Sequence, residues 1–365
     1  MTTPEKHGLI PSLDGLRAVS IMLVFIGHLG LNFPIPGGFG VTVFFFLSGF
    51  LITTLLLREY TSYQEISLKR FYLRRVLRLA PPLLLTLFGA VLLVWAGYAQ
   101  GTLDPLTMLS QVFFFYNYLS LYGPAEPVVD GLGILWSLSV EEHFYLIWPV
   151  LFLLLMWGRI GLHHLVGLIV LSLIWRYVRV LGFGNDEWTV YISTDTRFDS
   201  LLFGCVLAVL HDRKVALPRV LQNTVAMYAF LALAVVLILF TFVYRDEVFR
   251  STLRYSLQGL ALIPIFHFAV TRPEALVFQP LNWGFVRKIG VWSYTVYLCH
   301  FVIIEALRSN GIAANNIGLF FVLAFGLSCI WAELVFRIGE RPFHPLRKRL
   351  SGPASNSVVA ASAGS

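Results

Sequence analysis

Charge is what this sequence has least of. Asp, Glu, Lys and Arg make up 13% of its 365 residues, against about a quarter in an ordinary soluble domain. With 57% apolar residues and a mean hydropathy of +0.75, the chain cannot be a water-soluble globule and reads as an integral membrane protein. Cysteine is nearly missing too. Cys205, Cys299 and Cys329 are odd in number, fall inside apolar runs and lack metal-ligand spacing, so no disulfide framework and no metal site are expected. No repeat of fixed period and no low-complexity block interrupt the body. Residues 8–345 read as one membrane domain and 346–365 as a basic, then disordered, cytoplasmic tail. The duplicated halves seen in many transporters are not found.

What the sequence does have is apolar length. A membrane-spanning helix needs ~20 residues, and runs near 12–31, 38–57, 79–98, 140–157, 163–181, 197–211, 221–243, 253–270, 289–307 and 313–336 supply ten candidates. The fold class is therefore all-α, a polytopic transmembrane helical bundle of about ten spans. Basic residues are retained on the cytoplasmic side. With an internal N-terminus, 19 of the 27 Lys and Arg fall in cytoplasmic segments, five in external ones (Arg197, Arg245, Arg250, Arg254, Arg308) and three, Arg17, Arg176 and Arg179, within spans. Both termini are expected to be cytoplasmic, and the positive charge calls for no nucleic-acid partner. The first span has Asp14 and Arg17 at its head and no small-residue cleavage site after it, so it is expected to stay attached. "LTMLSQVFFFYNYLSLYG" at 106–123 is aromatic and apolar, but counting it as a span would spoil the charge asymmetry. It reads as interfacial or re-entrant.

Against this background the ionisable groups inside spans stand out, since each costs ~2.5–3.5 kcal/mol to insert. "PSLDGLRAVSIMLVFIGHLG" at 11–30 carries Asp14, Arg17 and His28. Eleven residues at 100° each put Arg17 and His28 about 20° apart on one helical face and ~16 Å apart along the axis. Asp14 is placed for an i,i+3 ion pair with Arg17, which can serve simply as an anchor at the inner interface. A lone histidine on an apolar helix is more often a core residue than a catalyst. The neighbouring stretches tip the balance for His28. "GGFGVTVFFFLSGFLIT" at 37–53 brings close-approach glycines and Ser48. "RFYLRRVLRLAPP" at 70–82 sets Arg74 and Arg75 one turn from Arg78, either as a positive-inside anchor or as a phosphate-gripping fork. "LWSLSVEEHFYLIWP" at 135–149 puts Glu141, Glu142 and His143 at the expected outer start of a helix, where one carboxylate can cap.

These motifs in this order resemble the membrane-bound acyltransferase-3 family. The resemblance is carried by Arg17-x(10)-His28, by "GFGVTVFFFLSGFLIT", by "FYLRRVLRLAP" with Arg75 and Arg78, by "WSLSVEEHFYLIWP", by "RFDSLLFGCVLA" at 197–208, by "SYTVYLCH" at 293–300 and by "ERPF" at 340–343. It covers about residues 8 to 345. It implies transfer of an acyl group, most often acetyl, from cytoplasmic acetyl-CoA or another acyl-CoA to a hydroxyl on the far side of a bacterial-type inner membrane, with a carbohydrate or other small-molecule acceptor and membrane lipid as partners. By position, His28 matches the family's essential histidine, Arg17 its motif partner, Arg75 and Arg78 the pair at the coenzyme A end, and Glu142, with Glu141, the acidic element. Many members carry Asp at the position of Thr42 and Gln at that of His143, departures that bear on acceptor choice. Some carry a C-terminal hydrolase-like domain, for which the chain is expected to end too early.

The expected chemistry has His28 as general base on the acceptor hydroxyl, Glu142 orienting its ring, the cluster of Arg74, Arg75 and Arg78 on the donor phosphates, and Arg17 holding the donor or stiffening the helix. His300, Arg197 and Asp199 are lesser candidates expected to be structural. Arg197 and Asp199, two residues apart, should each pair elsewhere. His267 and Glu333 have only their position within spans behind them. The competing reading is a transporter of a polar or lipid-linked saccharide.

Overall fold

Long apolar runs cannot leave backbone groups unpaired in lipid, so they close their hydrogen bonds locally as helices. The computed structural model describes residues 10, 12–31, 36–124, 129–214 and 223–350, and among these there is helix but no strand. In chain order the helices are α1 (Leu13–His28), α2 (Gly37–Tyr63), α3 (Leu68–Trp95), α4 (Pro105–Val112), α5 (Tyr116–Tyr122), α6 (Trp136–Met156), α7 (Leu162–Tyr177), α8 (Glu187–Ile192), α9 (Thr194–Asp212), α10 (Thr224–Val243), α11 (Glu247–Ser251), α12 (Leu253–Thr271), α13 (Gly284–Ser309), α14 (Ile317–Val335) and α15 (His344–Arg349). Ten are long, and they correspond one to one with the ten apolar runs. The aromatic stretch at 106–123 forms α4 and α5, each too short to cross a bilayer, joined through Phe114 in the left-handed region at φ 59°. Of the expected tail at 346–365, residues 346–349 belong to α15 and 351–365 lie outside the described residues.

Successive long helices alternate in direction. One face carries the start of α1, where the Ser12 amide donates to Asn282 Oδ1 (3.0 Å), and the Arg74 bond to the Leu350 carbonyl (2.7 Å). The opposite face carries the Arg308 bond to the His28 carbonyl (3.3 Å) and Asn310 on the Tyr98 carbonyl (2.9 Å), beside the short helices α4, α5, α8 and α11. The first and last described helices thus share the arginine-rich face.

Eight of the described helices are long and apolar enough to span a membrane by themselves; α1, with 16 residues, and the charged α9 are not among them. Both sit inside the bundle, where other helices rather than lipid are the solvent. Fourteen residues of α9 are buried, and it crosses α2 at van der Waals distance because both helices use glycine there. A Cβ on Gly49 would lie 2.0 Å from the Leu201 carbonyl oxygen, and one on Gly204 2.0 Å from that of Phe46.

The charges on α9 are settled by neighbours. Asp199 receives a two-pronged bond from Arg176 of α7 (2.7 and 2.7 Å) and a third from Ser256 of α12 (2.9 Å), all fully buried. Arg197 donates to Thr42 Oγ1 (3.0 Å) and lies over the Tyr255 ring at 4.0 Å. Each member of the pair therefore finds its partner on a different helix, as their two-residue spacing requires. Removing one partner of a buried pair strands the other charge, at a cost of about 3–5 kcal/mol. Asp199→Ala is expected to lower the thermal unfolding midpoint in detergent sharply. Glu333→Ala, which breaks the surface pair with Arg337 (2.7 Å), should leave the midpoint nearly unchanged.

Candidate active site

Three cavities follow one another across the bundle beside α2. The first opens among Arg58, Arg74, Arg75, Arg78 and Arg347 on the arginine-rich face and holds about 1020 Å³ of empty space. The second, about 780 Å³, is lined by Arg17, Ser48, Glu141, Tyr145 and Tyr294, and shares Ile52, Leu55, Arg75 and Arg78 with the first. The third, about 1030 Å³, is lined by His28, Tyr116, Trp188, Tyr191 and Phe301, and shares Val41 and Tyr297 with the second. Arg17 and His28, on one stripe of α1, line the second and third cavities respectively.

The arginine fork reaches the site because α3 begins earlier than hydropathy indicates. Ser67 caps it, accepting from the Arg70 amide (3.4 Å), so the basic segment is helical and enters the bundle ahead of Pro81 and Pro82. Once inside, the three arginines diverge. Arg74 pairs with Glu59 (2.5 Å). Arg75 lies 3.8 Å from Glu142 and stacks over the Tyr145 ring at 3.5 Å. Among the described residues no carboxylate comes within ion-pair distance of Arg78, which faces both the first and second cavities. Arg17 keeps its local pair with Asp14 (3.0 Å).

The acidic pair is not at a helix start. A 3₁₀ turn at Leu132–Leu135 runs straight into α6, with Leu132, Ile134, Leu135 and Trp136 buried, so the helix begins well below the surface. Neither Glu141 nor Glu142 caps. Glu141 instead faces the second cavity, with Ser48 beside its carboxylate and Arg75, Arg78 and Arg17 around it. Ser48 is in hydrogen-bond contact with the Tyr145 hydroxyl.

Glu142 therefore lies on the arginine side and does not touch His28. The ring partner of His28 is His300 of α13. His28 Nδ1 is 3.0 Å from His300 Nε2, and His300 Nδ1 is 2.8 Å from the Tyr297 carbonyl and 3.1 Å from that of Val296. The chemistry of the acceptors fixes the protons. Carbonyls only accept, so His300 must carry its hydrogen on Nδ1. Its Nε2 is then a lone pair, which His28 can meet only by donating from Nδ1. The neutral His28 ring then keeps its lone pair on Nε2, and the Val24 carbonyl one turn back is a further hydrogen-bond neighbour of the ring. Phe301 stacks on the same ring with centroids 4.3 Å apart.

Sequence reasoning gave His300 a structural role and passed over Tyr145, Tyr294 and Tyr297. Helical spacing carried a signal for three of the four, all but Tyr294. Tyr145 follows Glu141 by four residues, and Ser293, Tyr297 and His300 repeat at i, i+4 and i+7 on α13. Of the two departures, Thr42 is the residue under Arg197, and His143 bonds to Thr194 Oγ1 (2.8 Å), away from the cavities.

Compared with known families, residues 10–337 match the acyltransferase domain that defines one of them. The chain belongs to the acyltransferase-3 family. It is 31% identical over 360 residues to a putative peptidoglycan O-acetyltransferase of Bacillus subtilis (strain 168), covering 93% of this chain and 55% of that protein. It is 33% identical over 365 residues to a peptidoglycan O-acetyltransferase of Listeria monocytogenes (93% and 57%), and 29% identical over 374 residues to a putative O-acetyltransferase of Staphylococcus aureus (strain COL; 94% and 58%). The chain thus spans little more than half the length of these relatives. No solved structure matches it. Its apolar helices make this member of the family an integral membrane protein.

Nitrogen-15 NMR of histidine-labelled protein in detergent should assign the His28 hydrogen to Nδ1 and leave Nε2 unprotonated in the neutral form. His300→Leu should abolish that preference. A neutral His28 with hydrogen on Nε2 in the unmodified protein would contradict the assignment.

Proposed function

We propose that this chain transfers an acetyl group from acetyl-CoA, bound at a cytoplasmic arginine-rich face, to a carbohydrate hydroxyl presented on the other side of a bacterial inner membrane. The observation that carries the reading is the series of three wall-sharing cavities, with the Arg78 guanidinium, which has no ion-pair contact among the described residues, on one side and the His28 imidazole on the other. The named relatives are O-acetyltransferases of a glycan, which favours acetyl as the group and a carbohydrate of the peptidoglycan type as acceptor.

An anionic donor suits the arginine side. Arg78 is free to meet a phosphate, and guanidinium geometry favours that contact. Arg75 is held in place by Glu142 and the Tyr145 ring, so the two glutamates position cations here instead of serving the imidazole. Arg74, engaged by Glu59, shapes the entrance. Arg17 lines the second cavity together with Arg75 and Arg78, within reach of the pantetheine arm.

At the other end His28 Nε2 accepts the proton of the acceptor hydroxyl as its oxygen attacks the thioester carbonyl. The new C–O ester bond forms, the C–S bond breaks, and the proton is returned to the departing thiolate as coenzyme A leaves. A sugar hydroxyl is barely ionised at neutral pH, so the base must act during attack, a contribution worth about 10²–10⁴-fold in rate. His300 is a positioning residue. It holds Nδ1–H of His28 and is itself held by main-chain carbonyls, leaving the ring one productive orientation.

The test is coenzyme A release from acetyl-CoA by purified protein supplied with peptidoglycan fragments. His28→Ala, folded as judged by gel filtration, is expected to lose at least about 100-fold in turnover; wild-type turnover in that variant would end the assignment. Arg78→Ala should raise KM for acetyl-CoA while leaving KM for the acceptor in place. His300→Leu should lower kcat with both KM values held. His300→Gln, whose carbonyl oxygen can still accept from His28, should restore most of the loss, a rescue that a purely structural role would not produce.

A further inference from the structure

The second and third cavities meet at only two shared residues, Val41 of α2 and Tyr297 of α13, each 6% exposed. On one side of this partition lie the arginines and Glu141; on the other lies His28. The Tyr297 ring is latched across the boundary by its hydroxyl, which donates to the Ile134 carbonyl (2.9 Å) and sits 2.6 Å from Ser137 Oγ, the serine then being the donor. Both partners belong to the 3₁₀ turn and first turn of α6, which faces α13 across the cavities. The Phe44 ring meets Tyr297 edge-on at 6.1 Å and backs the closed position.

The main chain and side chain of Tyr297 have separate tasks. Its carbonyl takes the Nδ1 hydrogen of His300 and so belongs to the support of His28. Its ring can change rotamer without disturbing that bond, since a χ1 change moves the phenol and leaves the carbonyl in place. The latch consists of two neutral hydrogen bonds, which open far more readily than a charged pair would. The boundary between the two cavities is therefore lined from α13 by a single side chain that neutral hydrogen bonds hold in place.

We propose that Tyr297, with Val41 opposite, is the gate through which the acyl group passes from the arginine cavity to His28, and that the opening it leaves sets how long an acyl chain the donor can carry. This rests on the acyl-CoA reading above. While the ring is latched, the thioester is screened from water and hydroxyls on the acceptor side. An acetyl group, two carbons deep, needs only a small displacement of the phenol. Each further methylene must be accommodated against Val41 and the ring, and a pocket wall discriminates by about 10–200-fold per methylene.

The experiment measures kcat/KM for acetyl-CoA and butyryl-CoA with one peptidoglycan-fragment acceptor, together with acceptor-free hydrolysis of acetyl-CoA, in the purified full chain. Wild type should prefer acetyl. Tyr297→Ala should raise the butyryl-to-acetyl ratio at least about tenfold. Val41→Ala, which approaches the gate from the other helix and leaves the latch intact, should shift it the same way. Tyr297→Phe keeps the ring but loses the latch, so it should retain the preference while hydrolysing acetyl-CoA faster without acceptor. A wild type that transfers acetyl while neither alanine variant moves the ratio overturns the gate and leaves the acyl-CoA reading standing. A wild type that transfers nothing from either thioester overturns that reading, and the gate with it.

Discussion

The hydrogen bond from His300 Nδ1 to the Tyr297 carbonyl sets the direction of every proton that follows. A backbone carbonyl inside a helix has a fixed position and no hydrogen to give, so it leaves His300 one neutral tautomer and His28 one way to respond. The lone pair on His28 Nε2 is thus determined three atoms deep in α13, on a different helix from the ring that carries it. A carboxylate in the position of His300 would orient the ring equally well, but it would bring a charge against the rings of Phe25, Tyr297 and Phe301 that pack on the pair. A second imidazole does the same work while staying neutral, which suits a site bounded by aromatic rings.

Charge is instead gathered on the arginine side, and there it is nearly balanced. Arg17 has Asp14, Arg74 has Glu59 and Arg75 has Glu142, which leaves Glu141 among the guanidiniums and Arg78 without a close partner. Buried cations are tolerated only when paired or hydrogen-bonded. Arg78 and Glu141 are the two members of this cluster without an ion-pair contact, and the Arg78 guanidinium, open to cavities on two sides, is placed to meet an incoming anion. The same principle governs α9, where the charge of Asp199 is fully answered by Arg176 and Ser256. That cluster borders none of the three cavities and acts as a structural tie.

Much of this was legible in the sequence because bilayer thickness and helical periodicity are strong constraints. The ten apolar runs match the ten long helices, the aromatic stretch at 106–123 does not span, and the shared stripe of Arg17 and His28 leads along one line of cavities. What sequence could not give was depth. Hydropathy ended the third span at the arginines, while the structure extends α3 back to Leu68 and draws them inward. The acidic motif looked like a helix start at the outer surface, while α6 begins beneath buried Leu132 and Trp136 and delivers Glu142 to Arg75. Both errors have one cause. A sequence fixes a residue's height on its own helix, but the register between two helices is set by side chains on both.

The same limitation explains why the histidine pair could not be read in advance. His28 and His300 are 272 residues apart, and neither has a charged neighbour in sequence to announce it. Their meeting depends on α1 packing tightly along α13, and glycine makes that approach possible: a Cβ on Gly290 would fall 1.8 Å from the Asp14 carbonyl oxygen. With the two backbones locked at that end, the helices stay in register for the three to four turns that separate Gly290 and Asp14 from His300 and His28. A side chain at position 290 would push α1 away where it starts and spread the rings where it ends. The imidazole contact and the glycine contact are two ends of one packed interface, so the reactive lone pair is held by steric fit as much as by hydrogen bonding.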